Sequence, residues 1–173
     1  LDDAVDFLEE VPANIVRRVL ANTDKETRDL INRFLKYPEN SAGSVMTAEY
    51  IDLKKNMTVA QAINRIRKTG VNKETVYTAF VIDSSRKLEG IVSLKDLLFA
   101  DENELIENIM VGDVKRVTTS DDRQDAVALI AKYDLLSLPV VDKEDRLVGL
   151  ITVDDALDVI TEEAFEDIEV MAA

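Results

Sequence analysis

Residues 87–98, KLEGIVSLKDLL, return 59 positions later as residues 146–157, RLVGLITVDDAL. Each copy follows a short apolar run and a charged turn, a pattern that predicts an antiparallel hairpin leading into a helix. An internal repeat of this kind indicates a duplicated structural unit. Because a unit of about 60 residues buries little apolar surface by itself, we expect the two copies to pack together and complete one core.

The strands of each hairpin are predicted from β-branched runs. Residues 79–82 and 88–92 form the first pair, and residues 138–141 and 147–151 form the second. Polar turn residues separate the two runs of each pair, which favours antiparallel pairing.

A methionine opens each copy, Met46 in the first and Met110 in the second. The separation between that methionine and the aspartate of the repeated stretch, Asp96 or Asp155, is five residues longer in the first copy. We therefore expect an insertion in the first copy and place it at residues 71–76.

Residues 1–40 are predicted to be helical. A capping box of Thr23 and Glu26 begins one of these helices, and Tyr37-Pro38 ends it. The apolar residues of this region recur at helical spacing, which favours packing between helices.

The composition limits the chemistry that the chain can perform. It has 35 acidic and 21 basic residues, and a net charge of −14 repels the phosphate backbone of nucleic acids. Cysteine and histidine are absent from the sequence, which excludes disulfides, zinc sites built from these residues, and Ser–His or Cys–His nucleophiles. The oxygen ligands that remain suit hard cations such as Mg²⁺ or Ca²⁺.

The sequence has no stretch suited to crossing a membrane. A transmembrane helix needs about 18 or more uncharged apolar residues in a row, and no such run or signal peptide is recognisable. Since the sequence begins at Leu1 rather than at a methionine, we expect it to be a piece of a longer protein.

The repeated stretch contains the pattern Gly-x-x-[Ser/Thr]-x-x-Asp. It comprises Gly90, Ser93 and Asp96 in the first copy, and Gly149, Thr152 and Asp155 in the second. The glycine permits a tight turn or the close approach of a ligand, the hydroxyl can meet a phosphate at a helix N-terminus, and the aspartate can accept hydrogen bonds from a ribose. The alternative is structural: the hydroxyls are helix N-caps and the aspartates are acids of the first turn.

With these residues the sequence resembles the CBS-domain family. The resemblance is carried by Met46-Thr47, by Met110, by LPVVD at residues 138–142 and by the doubled motif. It implies an α+β fold in which each copy is a β-α-β-β-α module and two modules stack about a pseudo-twofold axis. It also implies clefts between the modules, which in this family often hold adenine nucleotides.

The whole chain resembles, more narrowly, the cytosolic region of MgtE-type magnesium transporters or channels. The stretches that carry this resemblance are KYPENSAG at 36–43, Met46-Thr47, Tyr133-Asp134, LPVVD at 138–142, TVDDALDVI at 152–160, and Glu163 followed by EDI at 166–168. The four parts implied are the end of a helical N-terminal domain at residues 1–40, CBS domains at 41–106 and 107–160, and the start of a connecting helix toward a membrane domain at 161–173.

The same resemblance implies a regulatory role without enzymatic activity, at the cytoplasmic face of the cell membrane. The implied partners are a second copy of the chain, bound through the CBS pair, and the transmembrane domain of its own full-length chain. No nucleic acid is expected as a partner.

Acidic residues crowd the last part of the chain. No lysine or arginine follows Arg146, and eight acids fall within residues 154–169. Acids four positions apart on a helix repel each other by on the order of a few tenths of a kcal/mol per pair. A second acidic run, at residues 2–10, precedes the first basic residue, Arg17. Such runs are usually solvated surfaces, and the alternative is cation binding.

The MgtE resemblance implies Mg²⁺ at these acids. Asp2 and Asp6 would meet Asp155 through the ion, at the joint between the helical domain and the CBS pair. Further ions near the connecting helix and the dimer interface would be held by Asp134, Asp158, Glu163, Glu166 and Asp167. Gln124 departs from the pattern, since an acid is expected there, although Asp125 is adjacent.

A cleft for ATP or another adenine nucleotide is implied at Ser93, Lys95, Asp96, Leu135, Leu136 and Pro139. The two leucines would sandwich the base, and Lys95 would offset phosphate charge. The alternative is that the leucines pack in the core and that Lys95 is solvated.

The leading hypothesis is a cation-operated latch. Mg²⁺ bound between the acids would close the assembly and, in a full-length protein, shut the pore. The alternatives are a CBS pair that senses adenine nucleotide, a structural dimerisation module, and a metal-dependent phosphohydrolase. Against the last of these, no Lys/Arg constellation accompanies the acids to stabilise a phosphoryl transition state.

Overall fold

The structure is a computed structural model that describes residues 37–73 and 75–172. The predictions for residues 1–36, which include the capping box and the candidate ligands Asp2 and Asp6, lie outside these described residues. The described part is a mixed α and β fold with two three-stranded sheets, as the sequence predicts.

Two modules follow each other along the chain, each preceded by a short helix. The first part comprises α1 (Ala42–Val45), β1 (Ile51–Leu53), α2 (Val59–Thr69), a 3-10 turn (Gly70–Asn72), β2 (Thr78–Ile82), β3 (Leu88–Ser93) and α3 (Leu94–Phe99). The second part comprises α4 (Ile106–Ile109), β4 (Val117–Thr118), α5 (Arg123–Tyr133), β5 (Ser137–Val141), β6 (Leu147–Thr152) and α6 (Val153–Ala172). We call β1 to α3 the first module and β4 to α6 the second module.

Each module forms one sheet around its middle strand. The strand order is β1-β2-β3 in the first sheet and β4-β5-β6 in the second. The first two strands of each sheet run parallel, because a helix connects them, and the last two form an antiparallel hairpin. The register pairs Phe80 with Ile91 and Leu138 with Ile151. The predicted hairpins and the β-α-β-β-α order are therefore confirmed.

The two modules differ in the connection between the helix and the middle strand. Eight residues, 70–77, separate α2 from β2, whereas three residues, 134–136, separate α5 from β5. The first connection is thus longer by five residues, which is where the sequence places the insertion.

The short helix before each module packs against the other module. Met46, which ends α1, lies in one core with Val117 of β4. Ile106 of α4 lies in the core of the first module. The backbone N–H of Thr47 donates to the carbonyl oxygen of Leu150 over 2.9 Å, so the entering chain extends the edge of the second sheet. The modules are interlocked and share their cores.

Gly90, the glycine of the first motif, faces Met110 and Val111, which follow α4 and pass beside the first sheet. A Cβ on Gly90 would lie 2.9 Å from Sδ of Met110 and 3.0 Å from the carbonyl oxygen of Val111. Its backbone does not adopt a positive φ, so no unusual conformation requires a glycine. Close packing between the modules explains this residue, in place of the tight turn or the ligand contact that the motif suggests.

A third core lies between the two sheets. It includes Tyr50, just before β1, and Phe80 of β2, together with Leu147 and Leu150 of β6, all fully buried. The rings of Tyr50 and Phe80 meet edge to face with centroids 6.2 Å apart, a favourable aromatic geometry. The modules are therefore joined by apolar packing as well as by the crossing segments.

The last helix, α6, continues without a break from the second module to Ala172. No helix within the described ranges combines the length and the apolarity that crossing a membrane requires.

Candidate functional site

The start of α6 is fixed by the second copy of the motif. Thr152 Oγ1 accepts a hydrogen bond from the backbone N–H of Asp155 over 3.2 Å, and Asp155 Oδ2 accepts one from the N–H of Thr152 over 3.2 Å. This is a capping box with an aspartate as the reciprocal acid. The structural interpretation of the motif therefore holds at Thr152, and the carboxylate of Asp155 is oriented by the same bonds.

The first copy of the motif begins α3 in a related way. Ser93 Oγ accepts a hydrogen bond from the N–H of Asp96 over 3.0 Å. Ser93 is half-buried, while Asp96 and the neighbouring Lys95 are exposed. The hydroxyl of the first motif thus also acts as an N-cap.

An acidic cavity lies between α6 and the segment around α1. Its volume is about 650 Å³, and its acidic lining residues are Glu39, Asp155, Asp158, Glu162 and Glu166. The structure therefore brings together three of the predicted metal ligands, Asp155, Asp158 and Glu166. It adds Glu39 and Glu162, which the sequence analysis did not select because nothing local links residue 39 to α6.

Residues 37–45 form the other wall of this cavity. Asn40 and Gly43 fix the conformation of this segment. Asn40 adopts a left-handed conformation with φ of 68°, which asparagine tolerates well, and its carbonyl oxygen accepts from the N–H of Arg123 over 2.7 Å. A Cβ on Gly43 would lie 2.7 Å from Cγ of Tyr37, so the ring packs directly on the glycine backbone. Burial, and secondarily the charge of Asp142, raises the pKa of Tyr37 to about 12.

A buried arginine provides positive charge at the edge of the cavity. The Nη1 of Arg123 donates to Oε2 of Glu162 over 2.9 Å, and its Nη2 and Nε donate to Oε1 of Glu163 over 2.8 and 3.2 Å. Burial lowers the pKa of Arg123, but the bonds and charges of Glu163 and Glu162 outweigh this and raise it overall. Part of the acidic run on α6 is therefore neutralised from α5, which the order of charges along the sequence does not indicate.

A second, smaller cavity lies on the other side of this ion pair. Its volume is about 330 Å³, and its polar lining residues are Gln124, Glu163 and Asp167. Two predicted metal ligands, Glu163 and Asp167, thus share a cavity with the glutamine that departs from the expected pattern. Asp134 lines neither of the two cavities; it is exposed and ends α5 in a left-handed conformation with φ of 52°.

The spacing of the acids determines what they can bind. Within residues 37–73 and 75–172, no group of three or more acidic side chains lies close enough to hold one metal ion. Mg²⁺ in proteins commonly keeps several waters and uses one or two carboxylates. The donor set fits a hydrated Mg²⁺ held by few carboxylates and does not fit an enclosed all-protein cage.

The candidate nucleotide residues fall on both modules. The N–H of Leu94 donates to the carbonyl oxygen of Tyr77 over 2.9 Å, which seats the start of α3 on the first module. The N–H of Val153 donates to the carbonyl oxygen of Leu136 over 3.0 Å, which seats α6 on the second. Leu136 is 53% exposed, and Pro139 is buried in β5. In the part of the chain that the structure describes, no hydrogen bond or ion pair joins the predicted residues of α3 to Leu135, Leu136 or Pro139.

Comparison with known proteins assigns families to residues 1–40 and to most of residues 42–162. Residues 1–40 match the MgtE intracellular N domain, and residues 42–103 and 106–162 each match the CBS domain. The chain is 40% identical to the magnesium transporter MgtE of Thermus thermophilus, over 100% of this chain and 39% of that protein. It is 31% identical to MgtE of Bacillus subtilis, over 99% of this chain and 38% of that protein. The chain spans about two fifths of the length of these relatives.

Two solved structures resemble the fold closely. The crystal structure of the soluble part of a magnesium transporter matches with a TM-score of 0.73 and 32% identity, over 94% of this chain and 68% of that one. The cytosolic domain of the Mg²⁺ channel MgtE in complex with ATP matches with a TM-score of 0.72 and 35% identity, over 90% of this chain and 68% of that one. Each of the two matches covers at least nine tenths of this chain.

Proposed function

Because this chain belongs to the MgtE family of magnesium transporters, as the part that carries the end of the intracellular N domain and two CBS domains, we propose that it senses Mg²⁺ and controls ion passage. The acidic cavity between α6 and the α1 segment is the observation that carries this proposal. Five carboxylates line it, and Arg123 is the one basic residue among its described lining residues.

The electrostatic argument concerns the two walls of that cavity. Carboxylates that face each other across the cavity repel, and the repulsion favours moving the walls apart. A divalent cation between the walls reverses the sign of the interaction. Binding can shift the equilibrium only if the ion has a higher affinity for the closed arrangement than for the open one, and a site shared between two walls meets this condition.

The residues have separate roles in this proposal. Asp155, held by its capping box, would face Asp2 and Asp6 of the N domain, which lie outside the described residues. Asp158 and Glu166 share the large cavity with Asp155. Glu163 and Asp167 line the small one, and Asp134 would contribute near a partner. With few carboxylates per ion, affinities of about millimolar are expected, which suits a sensor of cellular Mg²⁺.

The position of α6 fits a connection to a membrane domain at the cytoplasmic face of the membrane. Its exposed surface includes a series of large apolar residues, Leu157, Ile160, Phe165, Ile168 and Met171. Exposed apolar surface of this extent is typical of interfaces. We assign it to a homodimer formed through the CBS pair and to the transmembrane domain of the full-length chain, with no enzymatic role.

Nucleotide sensing is the second candidate. Two features support it: the exposed Lys95 and Leu136, and the similarity to an MgtE cytosolic domain in complex with ATP. The ligand would lie at Ser93, Lys95, Asp96, Leu135, Leu136 and Pro139. Binding of nucleotide and binding of Mg²⁺ would not exclude each other, because the two sets of residues are different.

Thermal unfolding tests the Mg²⁺ proposal. The midpoint is measured while Mg²⁺ increases to tens of millimolar at constant ionic strength, in a range chosen for weak sites. Ligands that bind only the folded state stabilise it by mass action, so a saturable rise of about 2–6 °C is expected. Asp155→Asn and Asp158→Asn should reduce the rise, and Asp113→Asn, an exposed acid between α4 and β4, should leave it unchanged. A flat response in the unaltered chain would refute Mg²⁺ sensing by this fragment.

A further inference from the structure

Arg123 holds a position that the charge pattern of α6 does not reveal. It is the first residue of α5, its side chain is 8% exposed, and its guanidinium bonds to Glu162 and Glu163 on α6. The N-cap Asp122, which accepts from the N–H of Gln124 over 2.7 Å, fixes the helix end that carries the arginine. The start of α5 therefore holds the guanidinium of Arg123 in place, facing α6.

The ion pairs lie where α6 leaves the body of the second module. Val159 is buried, at 3% exposure. From residue 160 to residue 169, every residue of α6 is exposed except Glu163, which is half-buried. The contact of Arg123 with Glu162 and Glu163 is thus the polar anchor for a stretch of helix that has little apolar packing of its own among the described residues.

Arg123 also separates the two acidic cavities. The guanidinium and Glu162 belong to the lining of the large cavity, while Glu163 and Gln124 belong to the lining of the small one. On the small-cavity side the neighbour of the arginine is a neutral amide. The positive charge that offsets Glu163 therefore comes from the chain itself.

We propose that Arg123 acts as an internal cation that holds the second half of α6 against α5 without a divalent ion, and that it withdraws Glu163 from the set of Mg²⁺ ligands. The inference refines the proposed function: Mg²⁺ acts at the large cavity, and the joint between α5 and α6 is closed permanently. A guanidinium suits this role because its planar fork bonds two carboxylates at fixed angles and does not lose its proton.

The proposal predicts what happens when the arginine is removed. In Arg123→Gln, the exposed Glu162 and the half-buried Glu163 remain beside each other with no counter-cation, and adjacent like charges repel. The same variant offers two carboxylates and amide oxygens to a divalent cation. A joint that is independent of Mg²⁺ thus becomes dependent on it.

Hydrogen exchange of the complete 173-residue chain, followed by mass spectrometry in EDTA and in Mg²⁺, tests this. The unaltered chain should already protect the amides of residues 159–166 in EDTA, and Mg²⁺ at the large cavity can only add to that protection. Arg123→Gln should lose at least about tenfold of that protection in EDTA, and Mg²⁺ should restore it. Arg123→Lys should lose less, because it keeps a charge. Arg65→Gln removes an arginine paired with a buried acid of the first module, Asp52, and should leave α6 unchanged.

The strands β5 and β6 report whether the second module remains folded. If Arg123→Gln loosens them as well, Glu163→Gln becomes the deciding variant, and it should lower protection of residues 159–166 while the strands stay protected. Unchanged protection in EDTA for the deciding variant overturns the proposal. So does unprotected exchange of residues 159–166 in the unaltered chain in EDTA. Both readings are made without Mg²⁺, so they remain valid if Mg²⁺ sensing fails.

Discussion

Gly149 packs directly against Met46: a Cβ on the glycine would lie 2.7 Å from Sδ of the methionine and 2.8 Å from the carbonyl oxygen of Thr47. The methionine side chain could move, but the Thr47 carbonyl belongs to the backbone bridge between Thr47 and Leu150. The glycine of the second motif is therefore required by the crossing of the two modules. The first motif repeats the arrangement with Gly90 and Met110.

Gly149→Ala should destabilise both modules together. Overpacking of this kind costs about 1–3 kcal/mol, and the shared cores make the loss visible as one transition. Chemical denaturation measures it. Gly112→Ala is the matched control, because a Cβ there meets only the carbonyl oxygen of Glu89 at 3.9 Å. Equal stability of the two variants would show that the crossing segment adjusts without cost.

Thr152→Ala should separate the capping role of the motif from cation binding. The substitution removes the acceptor for the Asp155 N–H at the start of α6, and loss of an N-cap costs about 1 kcal/mol. The melting midpoint should fall while the Mg²⁺-dependent rise persists. Thr152→Ser keeps the hydroxyl and serves as the control. A Mg²⁺ response lost in Thr152→Ala but kept in Asp155→Asn would contradict the assignment of Asp155.

Tyr37 should make stability fall at high pH. Its pKa is raised from 10.0 to about 12, mainly by burial, so the neutral phenol is favoured in the folded state. The contribution is complete below pH 10 and is lost as the pH rises from 10 to 12. Tyr37→Phe should weaken this pH dependence in thermal melts. In an absorbance titration of the tyrosines, the variant should lack the ionisation step at the highest pH. An unchanged titration curve would show that the ring is not protected.

Leu136→Ala should weaken binding of ATP if the cleft combines residues of both modules as predicted. Loss of an apolar leucine surface packed against a base corresponds to about 1–3 kcal/mol, which isothermal titration calorimetry resolves. Tyr77→Ala is the comparison variant, because Tyr77 lies beside the first motif and reports a site confined to the first module. If Tyr77→Ala abolished binding and Leu136→Ala did not, the nucleotide site would lie within the first module.

Much of the fold follows from local sequence patterns. The hairpins of residues 78–93 and 137–152 are visible because β-branched runs and polar turns are local signals that occur twice. The packing of α1 and α4 on the opposite modules is not visible, since helices of four residues carry no pattern that names a distant partner. The repeat predicts that the modules pack together. It does not predict that α1 and α4 each pack against the opposite module, and this packing fixes the arrangement of the two modules.

The candidate site shows the same division between local and distant information. The acids of α6 are apparent in the sequence because they are adjacent, and their spacing places Asp155, Asp158 and Glu166 on one side of the helix. Glu39 joins them only through folding, and Arg123 meets Glu163 across 40 positions of sequence. A count of charges along residues 147–173 therefore overestimates the unneutralised charge of α6, because it omits Arg123 on α5.

The distance between the N-terminal region and the CBS pair tests the central claim most directly. The chain has no cysteine, so Ala21→Cys and Ala128→Cys introduce two label sites per chain for pulsed electron paramagnetic resonance, and dilution with unlabelled chain removes distances between the copies of a homodimer. A latch closed by Mg²⁺ predicts a broad distribution of distances in EDTA and a narrower, shorter one in saturating Mg²⁺. It also predicts that Asp155→Asn shifts the Mg²⁺ distribution back toward the EDTA one. Identical distributions in EDTA and in Mg²⁺ would contradict the account.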